Sequence, residues 1–341
     1  MKVKSRSSLA VGRRTGSEAS PVERTPHPAQ SQLFRQTTIG RPVAIDGVGI
    51  HTGQLVRLRL LPAPTGTGVI FRRTDSGGIE IPALASHVAS LELATTLGRD
   101  DVTVSTVEHL MAAVHMAQID NLVVEVDGPE VPILDGSALP YWRLLEAAGV
   151  TRQDQNRRIV AIREPVEVSD NGKRIRVSPY PGLRVTYALE YPQPSIGRQT
   201  VDVVAEGERF VRELAPARTF ALLEDIERLH RNGLGLGGRE DNCIVFDEAG
   251  PINTELRFAD EPVRHKALDA IGDLALLGGP IWGHVEVERG GHLLHFRLIE
   301  ALQARPQAWT FLSAENAHST WTGDHDAEAS LIEPPFRLSS T

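Results

Sequence analysis

Short hydrophobic runs of period two recur through the middle of the chain, and only a few segments of helical period interrupt them. "VRLRLLPA" alternates as a half-buried strand, and "NLVVEVDG" reads as a fully buried one. "SALPYWRLLEAAG" has Ser before and Gly after an apolar periodic stretch and reads as a helix. The series lapses at "TRQDQNRR", which reads as a linker, and restarts at Ile159 with "RIVAI" and "LRVTYALEY". "VEVSDNGKRIRVSP" reads as a hairpin turning at Asp170-Asn171-Gly172. Strand-rich runs mixed with few helices, without regular βαβ alternation, predict an α+β fold. The similar order of elements in the two halves predicts paired domains of similar build, 34–154 and 155–305.

Several function classes drop out on composition. Net charge is −8, which argues against a nucleic-acid partner. No apolar run approaches a membrane span, so no transmembrane segment is expected. The single cysteine, Cys243, excludes an intrachain disulfide and a cysteine-based metal cluster. Residues 1–33 are rich in Ser, Arg and Pro, lack an apolar h-region and are expected to be a disordered extension. After Arg305-Pro306 periodicity is lost again, so 306–341 is expected to be a tail.

Three segments carry the chemistry. "STVEHLMAAV" (105–114) sets Glu108 and His109 at the start of a helix whose apolar stripe is Val107, Leu110, Met111 and Val114. Ser105 and Glu108 match a capping box, so Glu108 has a structural reading as well as a chemical one. "DEPVRHKALDAIGDLALLGGP" (260–280) reads as a helix begun by Asp260 and Pro262, with His265, Asp269 and Asp273 at i, i+4, i+8 on one face. Imidazole and carboxylate one turn apart can share a metal ion; a solvated His–Asp pair is the plainer alternative. "GGHLLHFRLIEALQARP" puts His292 at the edge of an element, helix or second hairpin strand. Together, His109, His265 and Asp269 form a His, His, carboxylate set of the kind that holds a catalytic zinc, with Glu108 as general base and His292 as general acid.

These segments belong to a longer pattern. "GVGIHTG" (47–53), "PAPTGTGVIFRRTD" (62–75), "STVEHLMAA" (105–113), "IDNLVVEVDGPEVPILDGSA" (119–138), "ARTF" (217–220), "GLGLGGREDNCIV" (233–245), "RFADEPVRHKALDAIGDL" (257–274) and "GGH" (290–292) occur in that order. In these blocks the chain resembles the UDP-3-O-acyl-N-acetylglucosamine deacetylases, the zinc amidases of bacterial lipid A synthesis, over roughly residues 34–305. The resemblance implies two α+β domains, each a sheet layered against helices, with the metal between them. It implies one zinc ion, ferrous iron being the alternative, on His109, His265 and Asp269, and Glu108 as base. It further implies His292 as acid held by Asp273, Thr219 on the oxyanion, and Lys266 adding positive charge. Tyr191 and Phe220 would contact substrate with Lys266, and an insert at about 219–242 would supply an apolar passage for the acyl chain. The implied protein is a cytoplasmic monomer acting on a UDP-linked acylated N-acetylglucosamine. The chain departs from the family pattern at His295, Arg297, Ser178 and the "HMAQ" turn. The alternatives are a paralogue that deacetylates another N-acetylated sugar, or a non-catalytic sugar-nucleotide binding protein on the same fold.

Overall fold

Hydrogen-bond pairing turns the period-two runs into two large sheets. The computed structural model describes residues 34–312. A five-stranded sheet runs in the order Val43–Val48, Leu55–Pro62, Leu122–Val126, Val69–Arg73, Ile79–Pro82. Along Leu55–Pro62 the alternation has its expected effect: Val56, Leu58 and Leu60 are buried, while Arg57 and Arg59 face outward. The second sheet has seven strands. Its central strand Ile281–Glu288 pairs with Lys173–Ser178, with Leu183–Glu190 and with Ile159–Ile162. Val166–Asp170 and Lys173–Ser178 form a hairpin through Asn171-Gly172, both at positive φ, as a two-residue primed turn requires.

The described residues form six α-helices: α1 (Glu108–Met116), α2 (Leu139–Ala148), α3 (Gly207–Glu213), α4 (Leu223–Arg231), α5 (Glu261–Leu274) and α6 (His292–Gln303). The protein is thus a mixed α+β molecule. α5 is buried along nearly its whole length, polar face included, so its His–Asp series is no solvated stripe. α1 is similarly enclosed. The two helices meet at Gly272, where a Cβ would stand 2.0 Å from the carbonyl oxygen of Glu108. Glycine is required there for that approach. Among the described residues, no helix is long and apolar enough to cross a membrane.

Four local expectations fail for identifiable reasons. The expected linker is in large part a strand, Val150–Asn156, antiparallel to Arg35–Ile39. It has almost no buried face, so hydrophobic period could not reveal it. Just beyond it, Arg157 is buried and its guanidinium engages the Asp120 carboxylate at 2.8 Å. The expected tail begins too early: Pro306–Ala308 form a short 3₁₀ turn, and Trp309–Leu312 adds an edge strand on Ile159–Ile162. Four residues are too few to show a period. The rest of the tail and residues 1–33 lie outside the described residues. The capping box does not form either. Val107 occupies the N-cap position without a side-chain cap bond, and Ser105 Oγ accepts instead from Thr96 Oγ1. Asp260 likewise leaves the α5 amides alone and takes the Arg264 guanidinium at 2.6 Å.

Candidate active site

α1 and α5 bring the first chemical group together. His109 enters from the first turn of α1, and His265 and Asp269 from successive turns of α5. One ligand atom from each lies within 4.8 Å of the other two, and all three residues are buried. Asp269 Oδ1 stands 3.3 Å from His265 Nε2 and 3.5 Å from His109 Nε2, yet makes no hydrogen bond among the described residues. His265 Nδ1 faces the Ala217 carbonyl at 3.0 Å, so its proton belongs on Nδ1 and the Nε2 lone pair points at the carboxylate oxygen. A lone pair aimed at a buried anionic oxygen is repulsive unless a cation lies between them, so the donor set fits a metal ion. Burial holds the His265 pKa down at about 3 against the attraction of Asp269, which keeps the imidazole neutral. Burial would raise the Asp269 pKa, but the interactions with the His265 imidazole, the Lys266 ammonium and His109 outweigh it and hold the carboxylate ionised, well below the usual range.

A second group surrounds Asp273, one turn further along α5. Its Oδ2 accepts from His292 Nδ1 at 2.7 Å and from His295 Nδ1 at 2.8 Å, both on α6. Its Oδ1 accepts from Thr95 Oγ1 at 2.6 Å. Burial disfavours a charged His292, but the Asp273 carboxylate outweighs burial and raises its pKa to about 9. Glu108 sits between the two groups in the chain's fold, with Oε2 accepting from the Thr95 backbone N–H at 3.1 Å. Burial raises its pKa, with His292 and His109 partly opposing. An acid held protonated and a base whose pKa is raised are the pair that proton transfer between the two groups requires.

Both groups open on one cavity of about 360 Å³, lined by Glu108, His109, His265, Asp269 and His292 together with Thr219, Phe220 and Lys266. Thr219 is fixed through its backbone, its N–H on the Gly136 carbonyl at 2.8 Å and its carbonyl on the Ile244 N–H at 2.9 Å. Lys266 Nζ reaches Asp269 Oδ2 at 2.9 Å and lies 5.7 Å from the Phe220 ring centre. Tyr191 does not line this cavity; it packs edge-on behind Phe220, ring centres 5.7 Å apart. The 219–242 segment lines the cavity through Phe220, Ala221, Ile226 and Leu229, and Ile50 and Ile133 line it from the first half of the chain. The segment's far end is stitched main chain to main chain: Leu236 N–H to the His51 carbonyl, and Gly237 N–H to the Ile50 carbonyl. That turn is itself held by the buried Glu130 carboxylate, which accepts from the N–H groups of His51 and Thr52, each at 2.9 Å.

Sequence reasoning passed over Thr95 and Glu130, and noted His295 only as a departure. Thr95 lies in "ELATTLGR", where no spacing links it to residues nearly 180 positions away. Nothing local marks Glu130 either, since its partners sit in a turn about 80 residues earlier.

Comparison with known proteins agrees with this geometry. The family model described as UDP-3-O-acyl N-acetylglycosamine deacetylase matches residues 36–304. Similar proteins include the UDP-3-O-acyl-N-acetylglucosamine deacetylase of Solibacter usitatus, 45% identical over 84% of this chain and 97% of that protein. The protein of the same name from Oleidesulfovibrio alaskensis is 43% identical over 89% of this chain and 99% of its own length. That of Nitratidesulfovibrio vulgaris is 46% identical over 79% and 88%.

Proposed function

Since the chain belongs to the UDP-3-O-acyl N-acetylglycosamine deacetylase family, we propose that it hydrolyses the N-acetyl group of UDP-3-O-acyl-N-acetylglucosamine in lipid A biosynthesis. The products are acetate and UDP-3-O-acyl-glucosamine. The observation that carries this reading is the unpaired, buried Asp269 Oδ1 beside two imidazole nitrogens on the wall of the cavity.

His109, His265 and Asp269 would hold one divalent ion, zinc in this proposal with ferrous iron as the alternative. When bound, the ion supplies Lewis-acid polarisation of water and of the acetamide carbonyl. The chain's own groups do the rest. Glu108 takes a proton from the attacking water, and its raised pKa makes it a better acceptor than an ordinary carboxylate. Thr219, on its backbone-fixed segment, offers its hydroxyl to the developing oxyanion, and the Lys266 ammonium adds positive charge. His292, held cationic by Asp273, gives its proton to the departing amine. Phe220 and the 219–242 wall receive the acyl chain, and Tyr191 buttresses Phe220. In this reading the chain makes two α+β domains, the metal would lie between them, and the protein works as a monomer in the bacterial cytoplasm.

The test combines metal analysis with acetate release from this substrate. The wild-type protein should carry about one ion per chain and release acetate. His265→Ala should lose the ion; Glu108→Gln should keep it and lose ~10²-fold or more in rate. Equal metal content in the wild type and His265→Ala would overturn the ligand assignment.

A further inference from the structure

Thr95 is fully buried, and it touches both proton-transferring groups of the site. Its backbone N–H donates to Glu108 Oε2 at 3.1 Å. Its carbonyl accepts from the Val107 N–H at 3.3 Å, which ties the same residue to the start of α1. Its hydroxyl reaches across to the other half of the chain and donates to Asp273 Oδ1 at 2.6 Å. The same oxygen lies 3.3 Å from His292 Nδ1. A hydroxyl has one proton, and the short contact assigns it to Asp273. The lone pairs are then left facing the His292 Nδ1–H, whose main acceptor is Asp273 Oδ2 at 2.7 Å. The hydroxyl therefore fixes the rotation of the Asp273 carboxylate and flanks the imidazole that this carboxylate orients. A β-branched side chain suits the task because its χ1 is stiff.

We infer that Thr95 is a positioning residue which holds the Glu108 carboxylate and the Asp273–His292 pair in one frame, so that proton uptake and proton delivery act at a common point. The inference rests on the roles given above to Glu108 and His292. It concerns the link between them, which neither role requires. His295 cannot substitute for Thr95, since it donates to Oδ2, the oxygen His292 already uses. Without the Thr95 hydroxyl, Oδ1 loses the hydrogen bond described for it, and the carboxylate is free to turn away from His292.

The test compares Thr95→Val, Thr95→Ala and Thr95→Ser in metal-loaded full-length protein. Kinetics of acetate release, metal content, thermal melting and the NMR signal of the His292 Nδ1 proton are read for each. Val and Ala should lower kcat by about 10- to 100-fold, the worth of one hydrogen bond to a charged group, with KM within about twofold and metal retained. Ser should restore most of kcat. The His292 Nδ1 proton should shift or broaden in Val and Ala and recover in Ser. A kcat within about twofold of wild type in Val or Ala overturns the inference, as does a loss that Ser fails to restore or that follows loss of metal. If Val does not fold, the Ala and Ser pair decides. A wild-type protein that releases no acetate defeats the functional reading instead. The NMR comparison then still decides the Thr95 contact, and an unchanged proton signal in Val and Ala overturns it.

Discussion

At the scale of single residues, partners decide what each ionisable group does. His292 is an imidazole that burial alone would leave neutral, and the carboxylate 2.7 Å away raises its pKa to about 9. Its proton is therefore available below about pH 9 and lost above it, while the raised pKa of Glu108 moves loss of the base to higher pH than for an ordinary carboxylate. The expected profile of kcat/KM is a bell. In Asp273→Asn the largest influence that raises His292 is gone, so the basic limb should move to lower pH by one unit or more, roughly the effect of a close opposite charge. Metal content should hold. A basic limb that stays in place would assign it to another group. Part of this arrangement was legible in the sequence. A helical period of 3.6 sets His265, Asp269 and Asp273 on one face whatever the fold around them. The capping box on Glu108 was misleading because a tertiary donor, the Thr95 N–H, takes the carboxylate that local rules assign to the helix end.

Among the elements, the decisive contact is between α1 and α5. Spacing within each helix was readable, but their meeting was not, because it depends on the bare Cα of Gly272 against the backbone at Glu108. Gly272→Ala should force the helices apart, since the intruding atom would meet main chain that cannot swing away. Overpacking of this kind costs about 1–3 kcal/mol, and denaturant titration should show it. The same substitution should lower turnover, as it displaces the residue next to His109. A variant as stable and active as the wild type would mean that the two helices slide past each other more freely than their contact implies. The hairpin at Asn171-Gly172 was the easiest element to read, because a two-residue turn at positive φ has its own residue chemistry. The strand Val150–Asn156 was the hardest, as ladder hydrogen bonds rather than buried side chains hold it.

For the whole molecule, the boundary near residue 305 is the correction with practical weight. Leu312 is 1% exposed and packs with Phe34, Ile159 and Ala161 in a small core of their own. A chain cut after 305 loses that leucine and an edge strand, and removing one buried leucine side chain alone costs about 2–5 kcal/mol. Its melting temperature should fall by about 5 °C or more relative to a chain ending at 312. Equal melting of the two would show that the edge strand contributes nothing. The cavity wall raises a different matter. Its stitches at Leu236 and Gly237 run between main-chain atoms, and α4 buries none of its side chains fully. Under the proposed function, heritable variation in Ile226 or Leu229 would therefore reshape the space for a hydrocarbon tail without unfastening the wall, provided Gly237 stays small enough to lie against the Gly49 carbonyl. Lineages that assemble different lipids could diversify this surface freely while the proton-handling residues beneath it stay as they are.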